Sequence, residues 1–331
     1  MLGDDPPKGV GAGVALSENL HPTRWHAFGI ALRQRPMKPN LFIVGAPKCG
    51  TTAWVEYLGK HPRIAFSQVK EPHYFALDLP GIRFVKTEPD YEALFDQDSN
   101  AAIVGEASVM YLFSKVAAEQ IRGYNPNARI LIFLRQQQDY LPSLHQQFLY
   151  TFQDCVDDFE QAWHLSGQRT PADIPETCKE PKLLDYKAMG RFDEQVERFL
   201  ANFPLSQVRV LRFEEWVRQP REAYLGILAF LGVEDDGRRD FRRVNEAKQH
   251  RWEKLARILN YPPRWLQPPV NAIKAAMGRD TLGIAQAVTS LNRKRGYRRP
   301  IGSSLKAEID AYYRGDNRRL NRRLSRGELV A

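Results

Sequence analysis

The sequence predicts an α/β fold with a central parallel sheet of about five strands flanked by helices. Three observations lead there. Five short apolar runs are each followed by a stretch with helical spacing, the alternation that a parallel sheet with crossover helices requires. The first run feeds a glycine turn, "GAPKCGTT", that opens directly onto a helical stripe. A chain of 331 residues with 43% hydrophobic content is also large enough to bury the core of such a domain.

The expected strands are "NLFIVG", "RIAF", "AAIVGE", "ARILIFLR" and "VRVLRF". After the first, "TTAWVEYLGKHP" sets Trp54, Val55 and Leu58 on one stripe and stops at Gly59 and Pro62. That stripe assigns Trp54 to core packing. "GRFDEQVERFLANFP" repeats the pattern with Phe192, Val196, Phe199 and Leu200, and "REAYLGILAFLGV" is an apolar helix ending at Gly232. Prolines followed by an amphipathic stretch suggest an inserted substrate-side segment over about 259–290. Residues 1–38 lack an apolar h-region and have acidic residues near their start, so they read as a partly disordered leader. Residues 39–331 are expected to form the single domain.

Charge and cysteines bound the function. The net charge is +9, and from Leu291 to Ala331 there are 12 Lys and Arg against 4 Asp and Glu, so the surplus lies in the tail. Such a tail is a solvated helix face, a nucleic-acid arm or a cover for an anionic ligand. A mean hydropathy of -0.48, with no apolar run of membrane-spanning length, fits a soluble chain. Cys49, Cys155 and Cys178 have no metal-ligand spacing and cannot all pair within the chain, which favours a reducing cytoplasm; a Cys155–Cys178 bond stays open.

Chemistry starts at the glycine turn. Gly45 and Gly50 have the G-x-x-x-x-G spacing of a phosphate loop, so a single P-loop-type domain is expected. Strand, turn and helix N-terminus together cradle an anion with backbone N–H groups and the helix dipole. Cys49, Gly50, Thr51 and Thr52 complete the turn, the threonines adding hydroxyl donors. A nucleotide triphosphatase would place lysine after the second glycine and end a later strand in aspartate. Here Thr51 follows Gly50, the loop's lysine is Lys48, and the later strands end in Glu106 and Arg135. Lys48 should therefore emerge towards the bond on a single 5′-phosphate.

"APKCGTT" resembles the 5′-phosphosulfate loop of sulfotransferases that use 3′-phosphoadenylyl sulfate (PAPS), and "KEPHYF" (Lys70 to Phe75) is similar to a segment of their heparan-sulfate and carbohydrate branch and its bacterial relatives. The similarity runs on through "VGEASVMYLF", "ARILIFLRQQQDYLPS", "FPLSQVRVLRFEEW" and "LGILAFLGV" to "AYYRGDNRRLNRRL", covering most of the chain. It implies PAPS as co-substrate, no metal, and a hydroxyl acceptor on a sugar or lipid-linked glycan. A peripheral membrane contact stays open, and nucleic acid is not expected as a partner.

The resemblance implies roles residue by residue. Arg135 and Ser143 match the pair that holds the 3′-phosphate, a task that suits the fixed donor fork of arginine. The family's Asn/Asp-Pro after that arginine is Gln136-Gln137 here, and Tyr140 replaces a common arginine, which leaves the loop's shape open. Arg295 and Gly296 look like the Lys/Arg-Gly loop that closes over the 3′-phosphate, with Lys294, Arg298 and Arg299 as substitutes in another register; the rest of the basic tail is expected to be helix surface. Lys48 matches the lysine on the bridging oxygen, and Glu71 the general base, with His73 its rival. Glu106 and Ser108 would line the acceptor side, although Val109 stands where relatives often have proline. Gly190 and Phe192 resemble a Gly-x-Tyr element with the hydroxyl lost. His145 is expected to face solvent, and Cys49 to have no catalytic part. Two other readings compete: a P-loop kinase or NTPase, and a non-enzymatic basic protein binding nucleic acid or acidic glycan.

Overall fold

The computed structural model describes residues 38–95, 101–242, 248–250, 293–295 and 300–325. The leader, apart from Lys38, and the whole expected insertion over about 259–290 lie outside the described residues.

All five expected strands form. β1 (Leu41–Gly45), β2 (Ile64–Phe66), β3 (Ile103–Ala107), β4 (Arg129–Leu134) and β5 (Val208–Arg212) make one sheet in the order β2-β3-β1-β4-β5. Every pairing in it is parallel. β1 is buried along its whole length, as a strand covered on both faces must be, and its sequence is accordingly a continuous apolar run.

The helices are α1 (Thr51–Gly59), α2 (Glu88–Glu92), α3 (Ala117–Tyr124), α4 (Gln137–Tyr150), α5 (Phe159–His164), α6 (Tyr186–Met189), α7 (Phe192–Asn202), α8 (Phe213–Trp216), α9 (Pro220–Leu231) and α10 (Ser303–Leu324). α1 stops at Gly59, as its stripe predicts, and α9 ends on Gly232 in the left-handed conformation with φ 66. Trp54 is fully buried, its ring stacked 5.5 Å from Phe133 and edge-on to Trp216. It is a core residue, as its place on the stripe indicates.

Connectivity places the site. The chain leaves β1 towards the β2–β3 edge and leaves β4 towards β5, so β1 and β4 are neighbours whose exits diverge. Open parallel sheets bind ligands in the crevice at such a point.

One feature differs from expectation. α10 is more than surface: it buries Leu305, Ile309, Tyr313 and Leu320, while Arg319 pairs with Asp193 at 2.7 Å and Arg323 with Glu197, both on α7. Cys155 and Cys178 are separate thiols, so the bond left open between them is not made. The 151–184 stretch is anchored by an almost fully buried ion pair, Arg169 to Asp154 at 2.7 Å, which Tyr186 joins by donating to Asp154 at 2.7 Å.

Candidate active site

The loop after β1 turns on two glycines that have no substitute. Gly45 has φ 143 and Gly50 φ 88, conformations that a side chain resists. A Cβ on Gly50 would run into the Trp216 ring, and one on Gly45 would press on the Val109 carbonyl and the Leu112 side chain. The Ala46 N–H donates to the Phe133 carbonyl at 2.7 Å, stitching the loop to β4. Gly50 is the N-cap of α1 and brings no side chain to it, which leaves first-turn N–H groups for an anion. Thr51 is buried and Thr52 half-buried in that turn.

Lys48 has φ 62, and its ammonium donates to Gln147 Oε1 on α4 at 3.0 Å. Gln147 lies four residues beyond Ser143 and so shares its helix face. The loop lysine and the buried Ser143 therefore meet on one side of α4. Cys49 is fully buried. Burial pushes its thiol far up against the pull of the Arg135 charge, so it stays protonated and is no nucleophile.

Arg135 follows β4 directly and is 9% exposed. Its guanidinium lies 4.6 Å from the centre of the Phe213 ring, and its buried Nε has no hydrogen-bond partner among the described residues. It opens onto a cleft of about 280 Å³ whose walls include Gln136, Phe192, Arg212, Glu214 and Asn317. The two glutamines after Arg135 have their own means of shaping the turn. The Gln136 N–H donates to Glu214 Oε1 at 2.9 Å, and Gln137 Nε2 donates to Asn317 Oδ1 at 2.9 Å and to the Gly190 carbonyl at 3.2 Å. Tyr140 is buried against Phe192. Gly190 is glycine because the Tyr313 hydroxyl occupies the space of its Cβ.

Arg295 lies on β7 (Arg293–Arg295), which pairs antiparallel with β6 (Lys248–His250). β6 runs against α4, the helix that carries Ser143. Gly296 lies outside the described residues, as do Arg298 and Arg299.

At the neighbouring end of β3, three alternate N–H groups of the "KEPHYF" loop dock on Ala107, the last residue of that strand, and on the segment after it. Glu71 donates to the Ala107 carbonyl at 3.1 Å, His73 to Ser108 Oγ at 2.9 Å and Phe75 to the Tyr111 hydroxyl oxygen at 3.2 Å. Glu71 and His73 both have left-handed backbones, φ 63 and φ 51. The Glu71 carboxylate is half-buried and pairs with Lys70 at 2.6 Å. His73 is buried and its Nε2 has no partner among the described residues. Burial pushes the imidazole down, opposed by the Glu71 charge, so the ring is neutral at pH 7.

Glu106 is fully buried beneath this loop and accepts from the Tyr91 hydroxyl at 3.0 Å. Burial pushes its carboxyl up to about 7, against the stabilising hydroxyls of Ser108, Tyr91 and Tyr111.

One segment joins the two halves. The residues after β3 that hold the acceptor loop also close on the glycine turn: Leu112 N–H donates to the Val44 carbonyl at 2.8 Å, and Val109 lies over Gly45. Lys48, Cys49, Gly50, Thr51, Thr52, Arg135 and Ser143 thus gather around the glycine turn and the end of β4, and Glu71, His73, Glu106 and Ser108 around the "KEPHYF" loop. His145 is not at the surface: it is buried, with Nε2 at 2.7 Å from the Val156 carbonyl.

A family profile described as "Sulfotransferase domain" matches residues 38–254, well over half of the chain. The chain belongs to the sulfotransferase family. A crystal structure of a sulfotransferase from Alicyclobacillus acidocaldarius matches with a TM-score of 0.56 and 31% identity, covering 74% of this chain and 97% of that one. Carbohydrate sulfotransferase 15 from Homo sapiens is 28% identical over 180 residues, 41% of this chain and 31% of its own. Heparan sulfate glucosamine 3-O-sulfotransferase 3A1 from Mus musculus is 24% identical over 227 residues, 69% of this chain and 53% of its own. The match to the human protein thus spans about a third of that relative's length.

Sequence reasoning missed several residues that line the cleft or engage the candidate residues. Arg212 ends β5 and Glu214 follows it on α8, where the strand-end rule that selected Arg135 would also have led. Gln147 and Asn317 carry no local signal, since their partners lie 99 and 180 residues away.

Proposed function

We propose that this chain transfers a sulfuryl group from PAPS to a hydroxyl of a carbohydrate, glycolipid or polysaccharide. The observation that carries the reading is the segment after β3, which sets the "KEPHYF" loop beside a phosphate loop whose lysine precedes its second glycine. The residues fit a nucleotide with two separated anions. The N-terminus of α1 has no side-chain cap, and the buried Arg135 Nε has no partner among the described residues.

In this reading the α1 N-terminus, Thr51 and Thr52 hold the 5′ end, and Arg135 and Ser143 hold the 3′-phosphate, for which Arg295 and Gly296 are further candidates by resemblance. Bound PAPS supplies the activated sulfuryl group. Glu71 takes the proton of the acceptor hydroxyl as its oxygen bonds to sulfur, a task for a positioned carboxylate. Lys48 meets the negative charge that grows on the phosphate oxygen as the old sulfur–oxygen bond breaks. Lys70 opposes the base role while it pairs with Glu71, so an acceptor that draws Lys70 away would free the carboxylate. The orphaned Nε2 favours a second reading, in which neutral His73 takes the proton.

The test is transfer of labelled sulfate from PAPS to a panel of glycans, glycolipids and small phenols, beside melting curves with 3′-phosphoadenosine 5′-phosphate (PAP) and ADP. Labelled glycan and a larger melting shift with PAP are expected. Equal shifts with the two nucleotides would remove the dedicated 3′-phosphate site.

A further inference from the structure

We infer that Glu106 is a positioning residue: through the hydroxyls of Ser108 and Tyr111 it holds the backbone N–H groups of His73 and Phe75, and so the loop that carries Glu71, in the shape that transfer needs. This rests on the sulfotransferase reading above.

The observations converge on one buried carboxyl. Glu106 touches no solvent. It lies on β3, immediately before Ala107 and Ser108, which take the N–H groups of Glu71 and His73 at 3.1 and 2.9 Å. The Tyr111 oxygen takes the N–H of Phe75 at 3.2 Å. Once a hydroxyl oxygen has accepted a loop N–H, its own proton must point elsewhere. For Ser108 and Tyr111 the nearby acceptor is the Glu106 carboxylate, which both hydroxyls stabilise along with Tyr91. Tyr91 donates to Oε2 with good geometry, whereas Oε1 has no well-formed bond, so the carboxylate has acceptor capacity in reserve.

The direction of this hydrogen-bond chain matters. Above about pH 7 Glu106 is ionised and only accepts, turning the hydroxyl protons inward and the oxygen lone pairs towards the loop. A group that donates from that place would compete with the loop N–H groups for those lone pairs and loosen their hold. Glu71 and His73 are the residues that need such help, because each holds φ above +50° without being glycine, a state that persists only when its surroundings impose it. The ionisable groups facing Glu106 are Tyr91 from α2, Tyr111 from the segment after β3 and the Glu71 carboxylate, whose charge it feels. His73, edge-on to Tyr111, is the nearby imidazole.

The test uses the full chain with Glu106→Gln, which keeps size but adds donors, and Tyr91→Phe, which removes one donor to the carboxylate. Amide hydrogen exchange resolved by residue is measured beside kcat, the KM for PAPS and PAP affinity. At pH 8, in Glu106→Gln the amides of His73 and Phe75 should exchange at least tenfold faster while those of Ala46 to Thr51 keep their rates. Turnover should fall tenfold or more with PAP affinity within twofold. Unchanged exchange in the loop, or an equal loss of PAP affinity, would overturn the assignment. If Glu106→Gln does not fold, Tyr91→Phe decides: severalfold faster exchange at the same two amides supports the role, and wild-type rates sink it. A wild type that transfers no sulfate defeats the proposed function, while the exchange readout still judges Glu106.

Discussion

The glycine turn and the "KEPHYF" loop, the proposed donor and acceptor halves of the site, meet a similar backbone requirement with different residues. In the glycine turn, Gly45 and Gly50 adopt positive φ where Val109 and Trp216 leave no room for a side chain. In the acceptor loop, the same half of conformational space is filled by Glu71 and His73. Where close approach is the need, glycine stands. Where a side chain is needed at that spot, the chain accepts strain of roughly 1–3 kcal/mol per residue. Among the described residues, four non-glycines have positive φ: Lys48, Glu71, His73 and Phe152. Phe152 follows the end of α4, a place where helices commonly turn left-handed. The other three are the residues that sequence alone nominated for catalysis.

The comparison makes the halves separable, and mutation can break that. Glu71→Gln should have the largest effect, lowering turnover by about 10²- to 10⁴-fold, the usual worth of a general base. The PAP-induced melting shift should stay as in the wild type. Turnover that survives in Glu71→Gln and collapses in His73→Asn would move the base two residues along the loop. Next comes Gly50→Ala, whose methyl group meets Trp216 and whose φ of 88 disfavours it. A destabilisation of about 2–4 kcal/mol is expected from overpacking and strain, read by chemical denaturation, with loss of the PAP shift. A protein of unchanged stability that still binds PAP would show that the turn has slack which the packing denies. Arg135→Lys is milder. It keeps the charge and loses both the donor fork and the Phe213 stack, so PAP should bind roughly tenfold more weakly and ADP about as before.

The sheet was legible because its strands are short apolar runs punctuated by glycine and proline, and burial on both faces demands that pattern. Lys48, Glu71 and Arg135 were legible because they sit at strand ends or inside a marked loop. Glu214 and Asn317 were not, because the turn after Arg135 is held by groups that only tertiary folding brings in. His145 shows the converse failure: one polar residue on α4 reads as surface until the 151–184 stretch folds back and offers it the Val156 carbonyl. The C-terminal helix was partly misread for a related reason. Its arginines look like a solvated face, and the acids that engage Arg319 and Arg323 lie far away on α7.

The smallest expected effect is on the pH dependence of stability, and it sharpens the account of the acceptor half because its two buried groups act with opposite sign. Burial lowers the His73 pKa below its ordinary value. The unfolded chain therefore takes up the proton first, and stability falls as the pH drops from about 6.5 towards the lowered native value. Burial raises Glu106 from 4.5 to about 7. The native state holds that proton more tightly, so this contribution is full below 4.5 and is lost as the pH rises to about 7. The two act in opposite directions in the wild type, with His145 adding to the His73 side. Between pH 7.5 and 5, His73→Asn should therefore lose less melting temperature than the wild type, and Glu106→Gln should lose more. Two shifts in the same direction would mean that one of these groups is hydrated in solution, and that the acceptor loop does not sit over a dry carboxyl.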